Sequence, residues 1–471
     1  MESFLEGCRA ALQDHVQSKR AVHVVLGNEA CDLDSMVSAL VLAYFLAKTS
    51  LDSEAAFVPV LNIPRVDFPL RTESAFLLHQ QRIPEKVLVF RDEIDLVGLN
   101  KAGLLSMTLV DHHILPSKDA ELEAAVVEVL DHRPLEWERP PPCRVTAELV
   151  GSCATLVAER LLQARVPILD SQIAALLHGT ILLDCVNMAV EASKVTPKDA
   201  RCVSRLESMF PELQPRNQVF DALQRAKFDV SGLTTEQMLR KDLKSLASKK
   251  ATVAISAVYV ALQDFLHRPG LEQDLAAFCH QRGFSLLVAM TISFGDGKKP
   301  FRQLAVYSQQ GQLQDAVCQA LERSSNPSLS LSRLESPCSS VRAYQQANTS
   351  ASRKKVLPII REFLTQWAGA SPTSPSMQPA VSSRVPPARV DSQGTGSHDP
   401  SGATKEPPKP LRLGEDAADE DTLLPPTPMN SLVDECPLHQ GLPEVSPEAI
   451  FERVNRIATD RSFGRRSPEK K

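Results

Sequence analysis

An α/β architecture with a parallel sheet is predicted on three observations. Short, continuously apolar runs alternate with helical patterns from residue 21 to about 190. Acids stand just past the C-terminal ends of several of those runs. A second αβ pattern follows, before the composition changes abruptly near residue 370.

The runs read VHVVLG (22–27), KVLVFR (86–91), SMTLVD (106–111) and AVVEVLD (125–131). Helix-like segments such as 34–49 and 152–165 lie between or after them. Strands apolar throughout, rather than alternating, are buried on both faces, as in a parallel sheet covered by helices on each side. Ligand-binding and catalytic groups in such sheets collect beyond the carboxyl ends of the strands. Asp32, Asp111 and Asp131 all fall at that edge. A further helical pattern ends in AALLHGTILLDCVNM (174–188), where Asp184 interrupts the apolar run. The pattern pauses at 229–233, a hinge candidate, and resumes with runs at 249–262, 284–294 and 302–308. A Ser-rich stretch at 323–340 reads as a loop before a terminal helix at 352–367.

Beyond 370 the chain changes character. Residues 371–430 hold 12 of the 34 prolines, and no Phe, Trp or Tyr occurs from 371 to 450. Such a segment cannot bury enough apolar surface to offset chain entropy and is expected to be disordered. Within 446–458, Ser446 and Pro447 open a short amphipathic helix. The expected organisation is therefore a parallel-sheet domain over 1–230, a smaller α/β domain over 235–368 and a proline-rich, acidic tail over 369–471. A chain of 471 residues accommodates this.

The net charge of −5 offers no basic face for nucleic acid, and ten cysteines without a CxxC pair suggest neither a zinc ribbon nor a disulfide framework. Free thiols at this density fit a reducing compartment. The N-terminal 20 residues lack the apolar core of a signal peptide, and no run reaches the ~20 apolar residues of a membrane span. A cytoplasmic location, with nuclear access, is expected.

Asp32 and Asp34 between a strand and a helix can cap that helix or hold a divalent cation. Asp111-His112-His113 and Asp131-His132-Arg133 can be polar strand termini or walls of one site. Asp184 in an apolar context is costly to bury unpartnered. Taken together, the set reads as one site.

In this order the residues resemble the DHH phosphoesterase superfamily, which includes family II inorganic pyrophosphatases, exopolyphosphatases and RecJ-type nucleases. The tail segment LPPTPMNSLVDECPL narrows the resemblance to its short-chain exopolyphosphatase-like members. The resemblance covers residues 20–365 and implies that Asp32, Asp34, Asp111, His132 and Asp184 hold two divalent cations. Asn28 stands where the family has a metal-binding His, and is expected to be a poor ligand that weakens one metal position. Arg133 replaces a second His and is expected to contact phosphate. His112 is expected to orient its neighbours, and His113 to support the site or protonate the leaving group. The helix start at 148–157 suits an anion. Arg353 and Lys354 match a substrate clamp, although SRKK by itself reads as a solvated basic turn. Arg225, with Lys227 two residues on, aligns near another family Lys.

The implied activity is hydrolysis of phosphoanhydride bonds in tri- and tetrapolyphosphate with Mg²⁺ or Mn²⁺, extending to cyclic nucleotides. An adaptor of weak activity is the other reading. Its tail would recruit a nucleoside diphosphate kinase and a signalling protein kinase in cell motility and proliferation, with cell-adhesion sites among its locations. A nuclease is disfavoured by the charge and by the lack of an aromatic-basic track.

Overall fold

The computed structural model describes residues 1–18, 20–50, 55–136, 142–164, 168–192, 194–294 and 300–369. The expected tail beyond 369, with its helix at 446–458, lies outside the described residues. So does everything that tail implies about kinase partners.

The first sheet contains β1 (Val22–Leu26), β2 (Ala56–Leu61), β3 (Val89–Phe90), β4 (Leu105–Val110), β5 (Val126–Asp131) and β6 (Arg144–Ala147). Their order is β3-β2-β1-β4-β5-β6, and the pairings are all parallel, as the apolar runs predict. Two strands lie outside the predicted runs. β2 carries Pro59, which argues against a strand because it cannot donate to the ladder. It is tolerated because β2 pairs with β3 only from Val60 onward, so at Pro59 the strand has β1 on one side alone. The run at 86–91 yields only a two-residue strand, preceded by a 3₁₀ turn at Glu85–Val87.

The strand order reverses between β1 and β4. At that switch point the crossover connections leave in opposite directions, and a cleft opens at the carboxyl ends of the strands. α1 (Glu2–Ser18), α2 (Leu33–Thr49), α3 (Thr72–Gln80), α4 (Leu96–Lys101), α5 (Cys153–Leu162), α6 (Ser171–Asp184), α7 (Pro197–Met209) and α8 (Arg216–Phe228) cover the sheet. α4 and part of α1 pack on one face through Cys8 and Leu96; α2, α3 and α5–α8 pack on the other. α2 is the central helix. It is apolar on all sides and buried from Leu33 to Ala43, so its first turn, which carries Asp34, has almost no freedom to move.

A turn at 229–233 leads to α9 (Thr235–Lys241) and a second sheet. That sheet contains β7 (Leu243–Ala247), β8 (Thr252–Val258), β9 (Leu286–Phe294), β10 (Pro300–Tyr307), β11 (Leu331–Leu334) and β12 (Val341–Gln346), in the order β11-β12-β10-β9-β8-β7. Only β8–β9 is parallel among the pairings. α9, α10 (Leu262–Leu266) and α11 (Leu271–Arg282) cover one face; α12 (Gly311–Arg323) and α13 (Arg353–Gly369) cover the other. The Ser-rich stretch expected as a loop contains β11, an edge strand whose side chains are largely exposed. Exposure explains why it lacks the apolar signature of the inner strands. Among the described residues no helix is long and apolar enough to cross a membrane.

One ion-pair cluster ties three helices of the first unit together. Glu207 on α7 accepts from Arg216 on α8 at 2.6 and 2.7 Å, and faces Nε2 of the buried His178 on α6 at 2.9 Å. Burial opposes ionisation of Glu207, but hydrogen bonds from Arg216 and His178 outweigh it and hold the carboxyl at about 2. A carboxyl depressed in the folded state contributes stability above its unfolded pKa and loses it as pH falls through the folded one. Glu207→Gln is therefore expected to lower stability to urea at pH 7. The gap from the parent should close between about pH 4.5 and pH 2, and a gap constant across that window would contradict the assignment.

Candidate active site

The cleft at the switch point is lined by Asp32, Leu33, Asp34, Glu73, Asp111, His132, Arg133, Gly151, Leu183, Asp184, Lys194 and Lys227. Asp32 caps α2, its carboxylate accepting from Ser35 N at 3.1 Å. The capping role and the cleft position therefore coincide in one residue. Asp34 lies in the first turn of α2 and reaches across to α5. Its two oxygens accept from Cys153 N at 2.6 Å and Ala154 N at 2.7 Å. The helix start expected to hold a substrate anion thus holds an anion of the protein itself. α5 has no side-chain cap of its own, so Asp34 supplies one from a neighbouring helix.

Asp111 follows β4 with φ at 61°, a left-handed conformation uncommon outside Gly, Asn and Asp. Three residues converge on it. Asn28 Nδ2 donates to Asp111 Oδ2 at 2.7 Å and to its carbonyl at 3.2 Å. Arg133 donates to the same carbonyl at 3.0 Å and lies 3.2 Å from Oδ1. His132 Nε2 lies 3.1 Å from Oδ1 and 3.8 Å from Asp34 Oδ2. His132 Nδ1 faces the Val150 carbonyl at 3.0 Å, which places a proton on Nδ1 and directs Nε2 at the carboxylates.

The amide of Asn28 cannot be flipped without loss. Its Oδ1 accepts from Cys31 N at 3.0 Å, so its NH₂ group must face Asp111. Where a ligand nitrogen was expected to be replaced by a weak oxygen ligand, the structure presents a hydrogen-bond donor. The oxygen is used within the loop.

Asp184 ends α6, and its Oδ2 is buried with no hydrogen-bond partner among the described residues. The negative end of a helix is the less favourable place for a carboxylate. Burial, then the charges of Asp34 and Asp32, push its pKa well up. Burial and Asp34 likewise raise Asp32, and burial followed by Asp34 pushes Asp111 up to about 8. Burial opposes charging of His132, but the Asp111 hydrogen bond and the charges of Asp34 and Asp111 push the imidazole up to about 10. A buried acid cluster that shifts its members toward the neutral form is one that a divalent cation would relieve. Ligand atoms of Asp34, Asp111 and His132 lie within 4.8 Å of one another, an oxygen-rich set with one imidazole that fits Mg²⁺ or Mn²⁺. Asp32 and Asp184 stand beside it.

The other predicted residues fall elsewhere. His113 Nδ1 lies 2.6 Å from Asp131 Oδ2, and its Nε2 accepts from Glu136 N at 3.1 Å, so both ring nitrogens brace the loops after β4 and β5. Neither is turned to the cleft. His112 donates from Nδ1 to the Val110 carbonyl at 2.9 Å, and burial lowers its pKa. Arg225 is exposed outside the cleft, while Lys227, 8% exposed, lines it; two residues apart on α8, they point to roughly opposite sides of the helix, so only one can face in. Arg353 donates to the Asp242 carbonyl at 2.6 Å and pairs with its carboxylate within the second unit. Lys354 is exposed, and neither lines the cleft.

Lys194 and Glu73 line the cleft without having been singled out in the sequence. Neither sits in a motif. Lys194 arrives because Val186, Asn187 and Met188 all adopt left-handed conformations after α6 and turn the chain back. Gly151 is needed where this segment passes: a Cβ there would come within 2.5 Å of the Lys194 carbonyl oxygen and 2.4 Å of Cys185 Sγ.

A parallel doubly wound sheet with an acidic, His-containing cluster at its switch point is the architecture expected of a hydrolase of the DHH phosphoesterase type. Residues 221–363 match the model of the DHHA2 domain. Exopolyphosphatase PRUNE1 of Homo sapiens is 53% identical over 462 residues, covering 98% of each chain. A putative exopolyphosphatase of Schizosaccharomyces pombe is 31% identical, over 78% of this chain and 98% of that one. A probable manganese-dependent inorganic pyrophosphatase of Bacillus cereus is 24% identical, over 56% and 80%. The chain belongs to the PRUNE1-type exopolyphosphatase family of the DHH phosphoesterases.

Replacing Asn28 by His removes the two donor contacts to Asp111 and sets a ring nitrogen beside it. Asn28→His is expected to tighten Mn²⁺ binding about tenfold in titration calorimetry. An unchanged affinity would show that the amide does not limit metal binding.

Proposed function

We propose that this chain hydrolyses phosphoanhydride bonds of short inorganic polyphosphates, with tri- and tetrapolyphosphate as substrates. The observation that carries the reading is the presence of both acids and cations in the lining of one cleft. Five acids line it, Asp32, Asp34, Glu73, Asp111 and Asp184, and Arg133, Lys194 and Lys227 stand among them. A site for a neutral substrate needs neither, and a simple anion site would not carry five carboxylates. A polyanion that meets the protein through divalent cations needs both. The relatives, named as an exopolyphosphatase and a pyrophosphatase, belong to the same reaction class.

In this reading Asp34, Asp111 and His132, with Asp32 and Asp184, hold Mg²⁺ or Mn²⁺. When bound, the metal lowers the pKa of a water and polarises the phosphoryl group. The chain's own residues do the rest. The Val150 carbonyl holds a proton on His132 Nδ1, so Nε2 is the nitrogen turned to the acids, where a cation would displace its proton. Arg133, anchored on the Asp111 carbonyl but with its side chain 43% exposed, is free at its outer edge to meet phosphoryl oxygens. Lys194 and Lys227 neutralise the remaining oxygens, where positioning and electrostatics supply most of the acceleration in phosphoryl transfer. The cavity holds about 90 Å³, well below the roughly 300–1,000 Å³ that engulfs a drug-sized organic ligand. That favours the end of an inorganic chain over a cyclic nucleotide.

Phosphate release from tripolyphosphate, tetrapolyphosphate, pyrophosphate and cyclic AMP, each with Mg²⁺ and with Mn²⁺, tests the reading. The two polyphosphates are expected to turn over fastest, and Asp111→Asn to lower that turnover at least about a hundredfold. Undiminished turnover in Asp111→Asn would place the chemistry elsewhere.

A further inference from the structure

Two lysines flank the turn that joins the two sheets. Lys227 lies in the last turn of α8 and lines the cleft; Lys241 is the last residue of α9 and is 2% exposed. A buried ammonium is costly unless its protons are taken up, and those of Lys241 are spent on the first unit. Nζ donates to the Leu70 carbonyl at 2.6 Å and to Thr72 Oγ1 at 3.0 Å, and lies 3.8 Å from Glu73 Oε2. The Thr72 hydroxyl in turn donates to the Lys227 carbonyl at 3.3 Å. Glu73, itself 2% exposed and part of the cleft lining, completes the arrangement. Burial would favour its neutral form, but Lys241 and then Lys227 hold it ionised. The adjacent Arg240 pairs with Asp67 of the same 65–73 segment.

We infer that Lys241 is a positioning residue for polyanion binding: through Thr72 and Glu73 it fixes where Lys227 stands in the cleft, so the seating of the second sheet sets phosphate affinity. The inference rests on the proposed function for the identity of the ligand. A lysine kept only to hold the two units together would not need a partner that is also bonded to the backbone of the residue carrying a cleft cation. Met238 and Leu239 already supply α9 with buried apolar contacts. Thr72 is the residue that makes the connection specific, since one hydroxyl accepts from Lys241 and donates to the backbone of Lys227.

The test uses the full chain, with two readouts on tripolyphosphate in the presence of Mn²⁺: binding by titration calorimetry and steady-state hydrolysis. Lys241→Met keeps the length and removes the charge; it is expected to weaken binding and raise KM about tenfold, with kcat within about threefold. Lys241→Arg should recover most of the loss. Thr72→Val changes no charge and is expected to raise KM severalfold, which keeps the inference open to refutation if Lys241→Met fails to fold. Lys227→Ala should also weaken binding, and the Lys227→Ala, Lys241→Met double variant should lose little beyond Lys227→Ala alone, because both act at one point. Additive losses, or wild-type binding in both Lys241→Met and Thr72→Val, would overturn it. Tight binding by the wild type without hydrolysis would instead sink the proposed activity and leave this inference standing.

Discussion

Four carboxylates, Asp32, Asp34, Asp111 and Asp184, meet in a cleft where burial and mutual repulsion push three of them toward the neutral form. Much of the surrounding structure answers that concentration of like charge. The N-terminus of α5 is spent on Asp34, and Asn28, His132 and Arg133 are spent on Asp111. Asp184 keeps a buried oxygen without a partner among the described residues. An arrangement that costs stability in the protein alone and is relieved by a cation is what a metal-dependent site requires.

The cleft is rigid for reasons that lie outside it. α2 is buried on all sides, so Asp34 is placed by apolar packing before any polar contact forms. Asp111 is held in a left-handed conformation by hydrogen bonds to its own backbone carbonyl, from Asn28 and Arg133. His113 and Asp131 link the loops after β4 and β5 from behind. The double histidine that attracts notice in the sequence is therefore scaffolding for its neighbours. The single histidine after β5 faces the acids.

The two sheets are connected by charge as well as by chain. Arg240 and Lys241 enter the 65–73 segment of the first unit, while Arg353 is retained in the second by Asp242. Of the basic residues that sequence resemblance assigned to phosphate, Arg133 lines the cleft, while Arg225, Arg353 and Lys354 do not. Lys227 and Lys194 make up the rest of its cationic lining.

Much of the fold was legible in the residues themselves. Continuous apolar strands alternating with helices require a sheet buried on both faces, and acids after β1 and β4 must then share its carboxyl edge whatever the details. Asp32, Asp34, Asp111, His132, Arg133 and Asp184 could be named on that basis together with the family pattern. β2 escaped because Pro59 is permitted only by the shortness of its neighbour, a fact about β3 rather than about residues 56–61. The orientation of Asn28 follows from a backbone N–H at Cys31, and the choice of Lys227 over Arg225 from the packing of α8. Spacing along a chain determines which residues reach one edge or one face. The direction in which a donor or a charge points is decided only by partners that tertiary packing brings from far away in sequence.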